Sequence, residues 1–211
     1  MNAMEIIAQR FRALASPVRI RMLRVLTVLG ETSVNELAEA TRILPCTASF
    51  HLRVLTSSGF LWRRRSGSLV YYDLAGNPSS GVTRVLLDLL RDVFQGVRYR
   101  NARRVAECDQ KKSREYSDSA LFACFTGLTH PRRLQIVREI DSQGTASSDL
   151  LVYRLHMSPQ ACLRHLSKLA DRGFVHVTRT GRRMAYSLAT GECSVQLRLL
   201  KAVLAEMGET R

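Results

Sequence analysis

The sequence has few cysteines, and they show no paired arrangement. Its five cysteines include no Cys-x-x-Cys pair, which argues against a disulfide framework and favours a reducing compartment. The first twelve residues already contain Glu5, Arg10 and Arg12 and so do not read as a signal peptide. The longest apolar runs are far too short to span a membrane. We therefore expect a cytoplasmic protein with no membrane partner.

Acidic residues are also scarce. The sequence has 18 Asp and Glu residues and 32 Lys and Arg residues, which gives a formal net charge of +14. The stretches before and after residue 110 each hold 16 basic and 9 acidic residues, so the surplus belongs to two similar units. A basic surplus on folded units favours a polyanionic partner such as nucleic acid. Charge that serves solubility alone is the alternative.

The sequence repeats itself at an offset of 114 residues. Between residues 11 and 74, 18 of 64 positions are identical to those 114 residues later, without a gap. The shared positions include Pro17/Pro131, Gly59/Gly173 and other Gly, Pro and Leu residues that mark element ends. A constant offset over so many of these positions indicates a tandem duplication.

Each copy shows the same succession of elements. Apolar residues at helical spacing predict a first helix, and Pro17 opens a second one that ends near Gly30. Ser33 and Glu36 have capping-box spacing, which predicts the start of a third helix. A fourth helix is predicted from about Cys46 to Ser58, followed by a basic β-hairpin and a long closing helix.

These elements predict a mainly α fold with small β-hairpin wings, arranged as two tandem winged helix-turn-helix domains. We expect the first domain, with its closing helix, to span residues 1–106. The polar residues 107–119 are the predicted linker. The second domain is then expected over residues 120–211, again with a closing helix.

Three segments of the first copy resemble the ArsR/SmtB family of winged-helix transcriptional regulators. Residues 11–23 are similar to the opening helices of that family, residues 47–55 to its recognition helix and residues 65–74 to its wing. The second copy resembles it more loosely, over residues 130–134, 158–159 and 164–169. The resemblance implies a DNA-binding regulator, usually a repressor, that acts on double-stranded DNA and responds to an effector.

The predicted DNA-binding residues lie on the fourth helix of each copy and on the wings. On a helical wheel, Ala48, Leu52 and Leu55 form the core stripe, and the opposite side is free to enter a major groove. Arg164 could pair with guanine and Gln160 with adenine. Clustered wing arginines suit phosphates or a minor groove. The predicted set is Cys46, Thr47, Ser49, Phe50, His51, Arg53, Arg63, Arg64, Arg65, Gln160, Leu163, Arg164, His165, Lys168, Arg179, Arg182 and Arg183.

The metal sites usual in this family are absent from the sequence. Ser33 and Asn35 stand where the family's Cys-x-Cys ligands would be, and the second copy has Ser147 and Asp149. The closing helices contain no histidine, so the carboxylate–imidazole site has no counterpart. We predict no metal and identify no cofactor. A possible thiol switch is Cys46, because a helix N-terminus favours a thiolate.

Three classes of function are open to such a chain. A sequence-specific regulator released by an unidentified effector is preferred. An unswitched basic nucleic-acid-binding or architectural protein is the alternative, and two recognition helices of different sequence argue against it. An enzyme is not expected, because we find no nucleophile–base set or Gly-rich phosphate loop. Family members generally pair through their first and last helices, so we expect an intramolecular pseudo-dimer of the two copies. Assembly of such chains into a further homo-oligomer is compatible with this expectation.

Overall fold

The computed structural model describes residues 2–78, 80–95, 117–181, 183–190 and 195–208. In the first half the elements, in chain order, are α1 (Ala3–Leu14), α2 (Pro17–Leu29), β1 (Thr32–Ser33), α3 (Val34–Thr41), α4 (Pro45–Ser57), β2 (Leu61–Ser66), β3 (Leu69–Leu74) and α5 (Gly81–Gln95). In the second half they are α6 (Asp118–Gly127), α7 (Pro131–Gln143), β4 (Thr145–Ser147), α8 (Ser148–Leu155), α9 (Pro159–Asp171), β5 (Val175–Thr180), β6 (Arg183–Leu188) and α10 (Val195–Gly208).

The fold is mostly helical, with small antiparallel sheets that fit a winged helix-turn-helix. One sheet has the order β1-β3-β2 and the other β4-β6-β5. The hairpin register of the first sheet pairs Leu61 with Leu74, and that of the second pairs Val175 with Leu188. The short strands β1 and β4, each directly before a helix, were not predicted from the sequence, because two or three residues carry no periodicity.

Residues with a left-handed backbone conformation recur at the repeat spacing of 114 residues. Gly59 and Gly173, with φ of 74° and 72°, follow the ends of the helices α4 and α9. The non-glycine residues Arg42 and His156 also have positive φ, 56° and 47°, and cap the C-termini of α3 and α8. These pairs are 114 residues apart, so the backbone turns in the same way at corresponding points of the two halves.

The chain divides into two compact units, which we call unit A (Arg12–Phe122) and unit B (Met1–Phe11 with Ala123–Arg211). Each unit therefore contains residues from both halves of the sequence. Helix α6 includes Asp118 and Ser119 from the end of the predicted linker. Residues 107–116 of that linker lie outside the described residues.

Unit A contains a buried ion pair between distant parts of the sequence. In this pair Arg24 donates from Nε to Asp118 Oδ1 at 3.1 Å, and its Nη2 donates to the same oxygen. Both side chains are nearly inaccessible, at 7% and 6% exposed. The Phe94 ring lies under the guanidinium, 4.4 Å from the ring centroid to Cζ. The start of α6 is thereby tied to α2 and α5.

Unit B joins α1 and α6 through aromatic packing. The rings of Phe11 and Phe125 are both fully buried, and their centroids are 6.4 Å apart. Near the end of α6, Gly127 faces the ring of Phe174: a Cβ at this position would lie 2.8 Å from Phe174 Cδ2 and would clash with Cε2. Glycine at 127 is therefore required by close packing and not by backbone conformation.

Within the described residues, no helix is both long and apolar enough to cross a membrane.

Candidate nucleic-acid interface

Helices α3 and α4 form a helix-turn-helix. Ser33 caps α3 with a complete capping box: its backbone N–H donates to Glu36 Oε2 at 2.8 Å, and the Glu36 N–H donates to Ser33 Oγ at 3.4 Å. The hydrogen bonds with Ser33 lower the pKa of the Glu36 carboxyl. Pro45 occupies the first turn of α4, where its missing N–H has no helical partner. The start of each helix is thus specified locally.

The exposed side of α4 carries most of the predicted residues. The helix buries Ala48, Leu52 and Leu55 completely, as the helical wheel predicts. Phe50 is 60% exposed, although it is a large apolar side chain. Ser49 is half-buried, and its hydroxyl donates to the Pro45 carbonyl at 2.9 Å, so it is not free to donate elsewhere. The exposed members of the predicted set on this helix are Cys46, Thr47, Phe50 and Arg53.

Helix α9 presents a different set on the corresponding side. Its buried stripe consists of Cys162, Leu166 and Leu169. Leu163 is 48% exposed, and Lys168 is half-buried. The exposed residues of the predicted face are Gln160, Leu163, Arg164 and Ser167. In the described part of the chain, none of the basic side chains of Arg53, Arg164 and Lys168 forms an ion pair.

The histidine of α4 contacts an arginine of α2. His51 is half-buried, with Nδ1 3.4 Å from Arg19 Nη1. Arg19 also donates to the carbonyls of Ala13 and Arg12 at the end of α1. Burial lowers the pKa of His51, and the positive charge of Arg19 adds to this. Because Arg19 can only donate, Nδ1 must be the acceptor, which leaves the proton of neutral His51 on Nε2.

Helix α9 holds its histidine, His165, through a different contact. The rings of His165 and His130 are 4.7 Å apart between centroids. Burial, followed by the nearby charge of His130 and then of Arg133, lowers the pKa of His165 to about 4. Here Arg133 donates to the carbonyls of Gly127 and Thr126, which correspond to the acceptors of Arg19. His165 is therefore neutral at physiological pH.

The wing arginines differ in their surroundings. Arg63, Arg64 and Arg65 are all exposed. Arg64 forms a two-bond ion pair with Glu31, and Arg65 Nε donates to the Gly67 carbonyl at 3.1 Å. In the hairpin of β5 and β6, Arg179 Nε donates to the Gly181 carbonyl at the same distance. Arg182 and the side chain of Arg183 lie outside the described residues.

The two serines at the positions where the family resemblance would place metal ligands are helix caps. Ser33 caps α3, and Ser147 caps α8 by accepting from Leu150 N at 3.2 Å. Over the ranges that the structure describes, no cluster of three or more His, Cys, Asp or Glu could hold a metal ion.

The cysteines occupy contrasting positions. Cys46 is exposed in the first turn of α4, whereas Cys124 and Cys162 are buried. Burial raises the pKa of both buried thiols. Cys108 and Cys193 lie outside the described residues. Among the cysteines that the structure describes, Cys46 is therefore the accessible thiol on the predicted DNA face.

Three residues that support this surface, Arg19, Arg133 and Glu31, were not predicted as site residues from the sequence. Arg19 and Arg133 are identical at the offset of 114, which was an available signal. Glu31, the partner of Arg64, had none, because the corresponding residue is Thr145 and the contact spans 33 positions.

Comparisons with known proteins agree with this geometry. A family described as a helix-turn-helix domain matches residues 14–62, from the end of α1 to the start of β2. This match and the small antiparallel sheets together place the chain among the winged helix-turn-helix proteins.

Similar proteins with described roles indicate which group of winged helix-turn-helix proteins the chain resembles. The chain is 38% identical over 73 residues to a cadmium resistance transcriptional regulatory protein CadC homolog of Staphylococcus aureus (35% of this chain, 60% of the relative). It is 36% identical over 85 residues to a transcriptional repressor SmtB homolog of Synechocystis (40% and 64%). It is 30% identical over 74 residues to the arsenical resistance operon repressor of Bacillus subtilis (35% and 70%). The chain thus spans less than two thirds of the first two relatives.

The chain belongs to the ArsR/SmtB family. This family consists of transcriptional regulators and not of enzymes.

Proposed function

We propose that the protein is a sequence-specific DNA-binding transcriptional repressor. The observation that carries the proposal is the exposed side of α4, where Phe50 and Arg53 face solvent opposite a fully buried stripe. A large apolar ring on a basic helix of a helix-turn-helix is well suited to a thymine methyl group, and an arginine to guanine or phosphate. Action on chromosomal DNA also supports the expected cytoplasmic location.

The test is binding to DNA selected from a random pool. We expect one motif to be enriched, and log affinity to fall with log salt by about 0.9 for each phosphate contacted. Exchange of Arg53 for alanine should lower affinity for the motif, whereas Arg84→Ala, an exposed arginine of α5, should not. Enrichment of no motif, with affinity governed by salt alone, would favour the unswitched architectural alternative.

We propose that the chain is a tandem duplication of this winged-helix domain, with domains at residues 1–106 and 120–211 and a linker at 107–119. Support comes from the 18 identical positions and from the matching sheet orders, registers and left-handed residues 114 apart. The equivalent hydrogen bonds of Arg19 and Arg133 add to it.

We further propose that the two copies pair within one chain as a pseudo-dimer. The support is that units A and B each combine both halves of the sequence, through Arg24–Asp118 in one and Phe11–Phe125 in the other. Because α4 and α9 expose different residues, the two half-sites of the operator should differ in sequence.

Stoichiometry tests the pseudo-dimer. We expect one full-length chain for each selected operator in sedimentation of the complex, and an operator without a palindrome. Two chains on a palindrome would contradict intramolecular pairing and indicate a homo-oligomer.

The effector is a separate question. Two of the relatives are named for cadmium and arsenical resistance, but Ser33 and Ser147 cap helices where thiolate ligands would be required. We propose that any thiol-based release runs through the exposed Cys46, because an adduct there would obstruct docking of α4. Mild oxidant or trivalent arsenic should then weaken operator binding by the wild type but not by Cys46→Ser. Equal loss in both would exclude Cys46.

A further inference from the structure

Arg64 crosses the whole width of the first sheet. It starts on β2, its guanidinium lies over the ring of Tyr71 on β3 at 5.4 Å, and it ends on Glu31, the residue before β1. There Nε donates to Glu31 Oε1 at 2.9 Å and Nη2 donates to Oε2 at 2.8 Å. This two-bond geometry is the most directional that an arginine and a carboxylate can form.

The neighbouring arginines face the other way. In the hairpin register Arg63 is opposite the buried Tyr72, whereas Arg64 is opposite Tyr71. Since successive side chains of a strand alternate between faces, Arg63 and Arg65 share one face and Arg64 lies on the other. In the part of the chain that the structure describes, Arg63 and Arg65 form no ion pair.

We propose that Arg64 is a positioning residue that braces the wing against the start of α3, and that Arg63 and Arg65 are the wing residues that contact phosphate. This assignment rests on the proposed function. An arginine paired with a carboxylate has almost no net charge as a pair, so it releases few counterions from DNA. Arg64 should therefore add little to the salt dependence of DNA binding. The hydrogen bond from Arg64 lowers the pKa of Glu31, which keeps the carboxylate ionised.

The second wing provides a natural contrast. The positions of Glu31, Arg64 and Tyr71 correspond to Thr145, Thr178 and Ala185, which cannot form an ion pair. These three positions therefore form no counterpart of the brace in the sheet of β4–β6, and Thr178→Ala is the matched control for changes at Arg64.

The experiment compares salt dependence across wing variants of the full chain. Arg63→Ala and Arg65→Ala should each reduce the slope of log affinity against log salt by about 0.9. Arg64→Ala and Arg64→Lys should leave the slope unchanged and lower affinity about five-fold, as should Glu31→Gln. The double variant of Arg64→Ala and Glu31→Gln should be no weaker than either single one. A slope that falls with Arg64→Ala and recovers with Arg64→Lys would overturn the proposal, since that pattern marks a phosphate contact.

Hydrogen exchange of the free protein gives a readout independent of DNA. Arg64→Ala should speed amide exchange in β1–β3, and Thr178→Ala should leave β4–β6 unchanged. Unchanged exchange in β1–β3 would also overturn the brace. If no variant affected DNA binding while exchange in Arg64→Ala rose, the brace would stand and the proposed function would fail.

Discussion

Arg19 and Arg133 lie 114 positions apart and donate to corresponding carbonyls at the end of α1 and α6. Arg24 and Arg138 are separated by the same distance but have different environments. Arg24 is buried against Asp118, whereas Arg138 is exposed and the residue that corresponds to Asp118 is Met4. Hydrogen bonds that shape the backbone are thus shared by the two halves, and this buried ion pair is not.

Helices α4 and α9 likewise share some features and differ in others. Both keep a stripe of three buried residues, but His51 is held by Arg19 and His165 by His130. The contacts and the ionisation of the two histidines therefore differ, while each helix keeps its buried stripe. Substitutions at three places test this contrast between the halves.

The largest expected effect on the free energy of unfolding comes from removal of the buried ion pair of Arg24 and Asp118. Asp118→Ala leaves the Arg24 guanidinium buried without its carboxylate and should lower the free energy of unfolding by about 3–5 kcal/mol. Arg138→Ala, at the exposed counterpart, should change it by less than about 0.5 kcal/mol. Chemical denaturation of both variants measures the difference. Similar losses would mean that the pair is not the feature that distinguishes the halves.

The second-largest effect on stability is expected at Gly127, near the end of α6, which corresponds to Ala13 at the end of α1. Gly127→Ala would place a Cβ within 2.8 Å of Phe174 Cδ2, and we expect overpacking to cost about 1–3 kcal/mol of unfolding free energy. Gly76→Ala is the control, since nothing lies within 4 Å of its Cβ position. A thermal unfolding series would test this, and equal stability of the two variants would contradict the close packing.

The smallest effect is a dependence on pH. The pKa of His165 is about 4 in the folded protein and about 6.5 when unperturbed, so the unfolded chain binds the proton more readily. The stabilisation of the folded state by neutral His165 is on the order of 1–2 kcal/mol after solvent screening. It is fully present above about pH 6.5 and is lost as the pH falls towards 4.

A variant at the histidine pair tests the cause of that pH dependence. His130→Ser introduces the residue that occupies position 16 in the first half and keeps a side chain able to cap α7. It removes one of the charges that lower the pKa of His165, so the pKa should rise towards its ordinary value. Imidazole proton resonances followed through a titration would measure it. An unchanged pKa would exclude His130 as a cause.

Helix ends and buried stripes could be predicted from the sequence because they depend on residues close together in the chain. Ser33 with Glu36, Pro45 and Gly59 each act on the backbone within about one turn. The stripe of Ala48, Leu52 and Leu55 follows from helical spacing alone. The predicted start of α4 differed by one residue from Pro45.

The partners of charged side chains could not be predicted. Three adjacent wing arginines look alike in the sequence, but strand alternation directs Arg64 towards Glu31, the residue before β1. The pKa of His165 likewise depends on a ring that lies 35 residues away in the chain, and Asp118 meets Arg24 across 94 positions.

The order of the helices and hairpins, the repeat of 114 residues and the exposed sides of α4 and α9 thus follow from the amino-acid sequence, since they depend on local backbone preferences and periodicity. Tertiary packing alone settles which charges are exposed and which are neutralised, and which halves of the sequence contribute to units A and B. Those outcomes depend on distances of a few ångströms between residues far apart in the chain, and Coulomb and hydrogen-bond energies are decided at such distances.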